Sequence, residues 1–376
     1  MTSFKKPDDL QTWLKDNTFS NRQSPKKTAG RFMGSLLEIF TYYLLRTWKH
    51  TSRIIIEDGI PEYGVTDITH NVEFSLNPIL EKFTIEIDRE DNQSITPNRI
   101  IKKMIEDKII SENDIEGQNI KTNPVITKEN HIKNSCLLYK TKEHFVIANL
   151  ISISEKKAEL DITKLIKNPY MIVECKRVGV EDGMSKGPQT IEKAKQGSYV
   201  AKSVSSLQKV RNQKGQLMGV VFDGEDKLQY GPFIPFLQEI IKSNDSPFLR
   251  NLVLTVGIVS DHGNWFTANN LNKEMKVLKQ SYDWLLFVSD KGVTQFYQDI
   301  IKIKEIKKCL EQTDYKEFSK QKLCYDAHLK LVEYFEKNIK SIESWLEIIT
   351  DSKLKIKDLK DQIDNLSNKN WKEIHT

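Results

Sequence analysis

The stretch Tyr170-Met171-Ile172-Val173-Glu174-Cys175-Lys176-Arg177 joins an apolar run to a Glu-x-Lys tripeptide. Four apolar residues entered from Asn168-Pro169 predict a buried strand leaving a turn. Side chains alternate along a strand, so Glu174 and Lys176 leave the same face while Cys175 points oppositely, into the core. A carboxylate and an ammonium then stand side by side at the end of a buried strand. A carboxylate is a hard oxygen ligand for Mg²⁺. A lysine can steady a hydroxide or the charge that builds on a phosphate. Metal-assisted phosphodiester hydrolysis needs both groups. The plainer reading is a strand-end salt bridge, and the apolar strand running straight into the pair favours the catalytic one.

One carboxylate holds Mg²⁺ poorly, so a second acid is required. Asp67 opens a strand after a turn containing Pro61 and Gly64. Asp161, in Glu159-Leu160-Asp161-Ile162, is closer in sequence, and a hairpin joining its strand to the Glu174 strand would bring the two carboxylates together. Glu38 lies among apolar neighbours on an amphipathic segment. Glu73 alternates with Val72 and Phe74, which turns it toward solvent or DNA. It shares parity with Asp67, so the metal face is its alternative.

The elements that position these residues follow from periodicity. Phe32, Leu36, Ile39, Phe40, Tyr43, Leu44 and Trp48 recur at helical spacing and predict a helix over Gly30–Trp48. Arg53–Ile56 predicts a short strand, and Val65–Ile68 opens a strand pair that runs on through Asn71–Leu76. Residues 79–168 read as an insertion. It contains a helix beginning at Pro97 and a hairpin pairing 145–153 with 158–166. A helix starting at Pro188 and running to about Arg211 follows the Glu-x-Lys strand. Strands are expected over Leu217–Phe222, Leu252–Val259 and Trp284–Val288. From Val293 on, the sequence reads as helix. The order predicts an α/β fold, a mixed central sheet flanked by helices, antiparallel first and parallel later. Four segments result: a polar arm, 1–28; a core, 29–78 and 169–292; the insertion, 79–168, offered for DNA recognition; and a helical tail, 293–376, offered for dimerisation.

This arrangement resembles the PD-(D/E)xK nuclease superfamily, and type II restriction endonucleases in particular. The resemblance covers roughly Gly30–Leu76 and Pro169–Val288. It sets Glu38 on the helix before the first strand, Thr66-Asp67-Ile68 at the metal-binding Asp, and Glu174-Cys175-Lys176 at (D/E)-x-K. The family keeps its two motifs closer together than Asp67 and Glu174 stand here, which keeps Asp161 as the alternative to Asp67. The resemblance implies a restriction-endonuclease-like core with an inserted α+β segment. It further implies Mg²⁺ held by Asp67 and Glu174, charge stabilisation by Lys176, an orienting or second-metal role for Glu38, double-stranded DNA as substrate, and a homodimer. A repair or anti-phage nuclease, or a non-catalytic DNA-binding protein, are the other readings.

After the motif, Gln189 to Lys214 holds a single acid, Glu192, among many lysines and glutamines. Lys195, Gln196, Lys202, Lys209 and Arg211 are therefore candidate DNA contacts. On one continuous helix, Lys195, Lys202 and Lys209 would share a stripe. The net charge of +5 is mild, so a local basic face matters more than the total. The four cysteines, Cys136, Cys175, Cys309 and Cys324, show no zinc spacing, and reduced thiols are expected. The seven scattered histidines form no zinc motif. No run approaches a membrane span and no apolar leader is evident, so a cytoplasmic protein without membrane partner is expected.

Overall fold

The computed structural model describes residues 4–375 except 63–64, 90–92, 155, 179–197, 223–227, 262–269, 313–316 and 319, and describes only the backbone of 62 and 65–68. Helices α1 (Pro7–Trp13) and α2 (Pro25–Thr47) lead into strands β1 (Ile54–Glu62) and β2 (Val65–Leu76). Then come β3 (Ile79–Asp88), α3 (Pro97–Glu106), β4 (His131–Lys133), β5 (Cys136–Lys140), β6 (His144–Ile153) and β7 (Lys157–Ile166). The chain continues through β8 (Met171–Val178), β9 (Gln208–Arg211), β10 (Leu217–Phe222), β11 (Leu228–Pro232), β12 (Leu254–Asp261) and β13 (Trp284–Val288). It ends with helices interrupted by β14 (Lys322–Cys324) and β15 (Leu346–Ile348).

The fold is α/β with a mixed central sheet of six strands, ordered β1-β2-β8-β12-β13-β15. β1, β2 and β8 pair antiparallel, β8, β12 and β13 parallel, and β15 adds an antiparallel edge. Parallel strands are covered on both faces, which is why every residue of β12 and β13 is buried. On one face α2 lays down Leu36, Phe40, Tyr43 and Leu44 together with Phe296, Phe335, Leu359 and Ile363 from the last helices. Helix Lys273–Ser281 covers the other face with Met275 and Leu278, against Val259, Leu285 and Phe287.

A second sheet, β3-β7-β6-β5, is antiparallel and has its own core around Ile85, Ile100, Met104, Ile147's neighbour Ala148, Leu160 and Ile162. Asn77 pins its two ends together. The side-chain amide of Asn77 donates to Ile166 O at 3.0 Å and Lys167 O at 2.9 Å, and Ser75 Oγ donates to Asn77 Oδ1 at 2.9 Å.

Several expectations are corrected. Residues 198–203 are helical, but Gln208–Arg211 is strand β9 of a small sheet ordered β11-β10-β9, so no continuous helix reaches Arg211. The tail is not all helix, because β14 pairs with β4 and β15 with β13. The cysteines are not four free thiols: Cys309 and Cys324 form a disulfide, while Cys136 and Cys175 are free. Among the described residues no helix is long and apolar enough to cross a membrane.

Candidate active site

β2 and β8 pair only at their lower ends, through Leu76↔Met171, Ser75↔Ile172 and Phe74↔Val173. Beyond Phe74 and Val173 that register ends and a fork opens. Glu73 is the first residue on one arm and Glu174 the first on the other. The Glu73 N–H donates to Glu174 Oε2 at 3.4 Å. Glu174 Oε1 lies 3.7 Å from His70 Nε2, further out on β2. The carboxylate thus takes over where a strand partner leaves off.

Glu73 does not follow simple alternation. Val72 packs with Ile172 and Val200 on one face of the sheet, whereas Phe74 packs against Tyr42 of α2 on the other. Residues two apart in a regular strand share a face, so β2 turns over at Glu73. Glu57 lies between the pairs Ile56↔Phe74 and Asp58↔Val72 and takes a left-handed φ of 53°. Such a conformation is uncommon for a residue with a side chain and marks a locally constrained backbone. The consequence is that Glu73 joins the α2 side of the fork. The expectation that it faces solvent or DNA is overturned, and its alternative of a place in the carboxylate cluster is the one the geometry favours.

From the helix side, Glu38 sits one turn before Thr41, whose hydroxyl accepts from the Cys175 thiol at 3.2 Å. That contact fixes α2 against β8 and aims Glu38 at the fork. Cys175 thus faces α2, opposite to Glu174, as strand alternation requires. Glu38 Oε2 is buried and has no hydrogen-bond partner among the described residues. Burial, then the charges of Glu57 and Glu174, push the Glu38 carboxyl up to about 7. Burial, then Glu38, Glu174 and Glu57, push Glu73 up to about 9. Burial and the same carboxylates, Glu73 foremost, hold the Cys175 thiol well above its ordinary range. Glu38 on α2 and Glu73 on β2 are thus partly desolvated and feel the charges of Glu57 and Glu174, and both effects raise a carboxyl.

The floor beside Glu174 is shaped by Gly257, its register partner on β12. A Cβ there would meet Leu285 Cδ1 at 2.9 Å and Tyr282 Cδ2 at 3.0 Å, so only glycine admits Tyr282 this close. Lys176 is half-buried, opposite Val259, on the Glu174 face. Arg177 turns back toward α2, donating to Gln11 Oε1 at 3.1 Å and Gly30 O at 3.4 Å.

Glu38 and Glu73 lie on the α2 side of the fork, and Glu174, with Lys176 two residues beyond it, leaves the opposite face of β8, its Oε2 accepting from the Glu73 N–H. Asp67 lies on β2 toward the hairpin end, and its side chain is outside the described residues. Asp161 is elsewhere. It lies on β7 in the second sheet, not hairpinned to β8, and its carboxylate is satisfied by Lys82 at 2.7 Å, Ser52 at 3.3 Å and Thr84 at 3.4 Å. A carboxylate with its own ammonium and two hydroxyls has little to offer a metal.

The proposed DNA contacts separate. Lys195 and Gln196 lie outside the described residues. Lys202 is exposed on the helical stretch 198–203. Arg211 is exposed and donates to Gly215 O at 2.8 Å. Lys209 turns inward: its ammonium sits 4.6 Å from the Phe233 ring centroid and bonds Tyr282 O, with Asp283 nearby. Burial lowers it to about 8. Lys209 is therefore no DNA contact, because β9 alternates it onto the covered face of the small sheet.

Whether a divalent cation suits the fork turns on its donors. No three His, Cys, Asp or Glu groups are drawn to metal-holding distance among the described residues. The donor chemistry nonetheless fits Mg²⁺: carboxylate oxygens from three elements, one of them, Glu38 Oε2, buried and without a hydrogen-bond partner among the described residues. No protein-family model matches the chain, and no curated protein or solved structure matches it.

Proposed function

We propose that this protein is a Mg²⁺-dependent endodeoxyribonuclease that cuts double-stranded DNA, a restriction-type enzyme of the PD-(D/E)xK kind acting in the cytoplasm. The observation that carries the reading is the fork itself, where Glu174 accepts from the Glu73 N–H with Lys176 on the Glu174 face, and where the charge of Glu174 reaches Glu38 and Glu73. Glu73 joins Asp67 on β2 as a candidate second metal ligand, and Asp161 leaves the set. Mg²⁺ held by Glu73 and Glu174, with Glu38 beside them, would polarise the scissile phosphate and lower the pKa of a bound water.

The chain's own residues do the rest. Glu174 is oriented by the Glu73 N–H, so its carboxylate stays at the mouth of the fork. Glu38 is held by the helix that Thr41 and Cys175 tie to β8. Lys176 supplies a fixed positive charge for the developing phosphorane-like oxygens. Tyr282 and the glycine beneath it close one wall.

The test is cleavage of supercoiled plasmid by the purified chain in Mg²⁺ or in EDTA. Cleavage should require the cation, and Glu174→Gln and Lys176→Ala should each lower the rate by about two orders of magnitude or more. Cleavage that persists in EDTA, or variants as active as the parent, would overturn the reading. Duplex binding without any cleavage would leave a DNA-binding protein in its place.

A further inference from the structure

The two largest cores of the molecule meet at one short strand pair. β14 and β4 pair through Lys322↔Lys133, Leu323↔Ile132 and Cys324↔His131. Leu323 belongs to the core beneath the central sheet and Ile132 to the core of the second sheet. Around this pair the Asn134 N–H donates to Gln321 O at 3.1 Å, the Tyr325 N–H to Asn130 O at 2.9 Å, and the Ile153 N–H to Tyr325 Oη at 3.3 Å. The segment 320–325 thus ties the second sheet to the tail. It is itself tied by the disulfide from Cys324 to Cys309, fifteen residues earlier on the helix Lys304–Gln312.

Without that bridge the segment has little to hold it. β14 has three residues. Lys133 and Lys322 stand directly opposite each other, and like charges so placed work against a strand pair. Glu317 answers Lys322, but Lys133 has no ion pair among the described residues. Gln321 takes a left-handed φ of 57°, an unfavourable conformation for a residue with a side chain. Its amide is fully buried, and neither Nε2 nor Oε1 has a hydrogen-bond partner among the described residues.

We propose that the Cys309–Cys324 bridge is a redox clasp: closed, it holds the second sheet to the tail through β14, and opened by a dithiol, it lets β14 leave β4. The sulfurs are placed for exchange. Cys309 is buried and Cys324 half-buried, so Cys324 Sγ is the one a thiolate reaches. Directly opposed residues share a face, which puts His131 beside Cys324 and the two lysines next along, a setting that draws a thiolate in. A cavity of about 280 Å³ lined by His131, Lys133, Gln312, Glu317 and Lys322 opens there. One thiolate of the dithiol attacks Cys324 Sγ, the bond between the two cysteine sulfurs breaks, and Cys309 leaves as a thiolate. The Cys324 N–H, 3.0 Å from Cys309 Sγ, already donates to that sulfur. The dithiol's second thiolate then attacks the dithiol sulfur now bonded to Cys324 and releases the Cys324 thiolate. The dithiol ends as a cyclic disulfide, two electrons pass to the cysteines, and they take up the two protons it lost. Exchange with a small disulfide runs the same steps backward. Cys136 and Cys175 stay out of this chemistry: burial pushes the Cys136 thiol up to about 11 and holds the Cys175 thiol well above its ordinary range.

Hydrogen exchange read by mass spectrometry on the full chain, before and after millimolar dithiothreitol without denaturant, tests this. Thiols counted after acid quench should be two in the chain treated with a small disulfide and four in the reduced chain. Amides of 131–134 and 320–325 should exchange about tenfold faster or more once the bridge opens, while those of α2 and β12 keep their protection. Cys309→Ser with Cys324→Ser should exchange like the reduced parent under both conditions, and Cys136→Ser should respond as the parent does. Should the double serine variant fail to fold, the parent's own reduction still decides the matter. Four thiols after treatment with the small disulfide, or a bridge that dithiothreitol opens only in denaturant, would overturn the inference. So would reduction with no change at 131–134 and 320–325, or with protection lost throughout, which would make the bridge a staple of the whole fold.

Discussion

Glu73 and Asp161 are both acids on strands, and their surroundings could hardly differ more. Asp161 stands in the second sheet with an ammonium at 2.7 Å and two hydroxyls in reach, a carboxylate with its charge met. Glu73 stands where the central sheet splits, beside Glu38 and Glu174, with its proton held to about 9. A fold seeking only stability would have placed a lysine or an apolar group there, because desolvated like charges work against it. The second sheet settles its charges internally, whereas the fork leaves a deficit that a cation would fill. Unsettled charge, more than proximity in sequence, marks the candidate site.

The largest expected break in this contrast is catalytic. Glu73→Gln should reduce Mg²⁺-dependent plasmid cleavage by about two to three orders of magnitude, while Asp161→Asn should leave it within roughly threefold. The reverse pattern in a time course would move the site to the second sheet. Next in size is packing. Phe74→Ala, at the root of the fork, should cost about 3–5 kcal/mol in urea unfolding, against about 0.5–1.5 kcal/mol for Ile162→Val in the second sheet. Equal shifts would show that the fork is not braced through Tyr42 and Phe74.

The pH dependence follows the same division. Glu38 and Glu73 have folded values near 7 and 9, above the usual carboxylate range. The folded chain therefore holds protons that the unfolded chain releases, so metal-free stability should fall as pH rises, and the fall should be complete only above the higher value. Denaturant midpoints in EDTA from acid to pH 9 would show it. Glu73→Gln should flatten the slope and raise stability at the alkaline end, and Asp161→Asn should leave the slope alone. A slope unchanged by Glu73→Gln would remove the charge deficit from the account. The smallest effect belongs to Lys82→Met. Its side chain is 44% exposed, so losing the pair with Asp161 should cost less than about 1 kcal/mol and leave cleavage unchanged. A drop in cleavage there would tie the second sheet to the chemistry.

Much of the frame was legible in the residues. The apolar run into Glu174 announced a buried strand, helical spacing placed Glu38 on α2, and the pattern of elements gave the mixed sheet. The bend in β2 was not legible. Alternation assumes a regular pleat, and nothing in Asn71-Val72-Glu73-Phe74 signals that Glu57 across the hairpin takes a left-handed turn. Glu73 was therefore read as facing outward. The Gln208–Arg211 strand was missed for a related reason: lysines and glutamines suit a solvated helix as well as an edge strand. What decided it was tertiary, since Lys209 needed a place over Phe233 and beside Tyr282 O. Asn77 held a clue of its own. An Asn-Pro step before a strand is a turn signal, but its two carbonyl partners come from the far end of β7, beyond the reach of local reading.

Isothermal titration of the metal-free chain with Mg²⁺ tests the central claim most directly. The parent should bind saturably, with affinity rising between pH 7 and 9 because Glu38 and Glu73 must release protons to bind metal. Glu73→Gln should weaken binding by about tenfold or more, and Asp161→Asn should match the parent. Equal binding by Glu73→Gln and the parent, or no saturable heat from the parent at any of these pH values, would contradict the fork as a cation site.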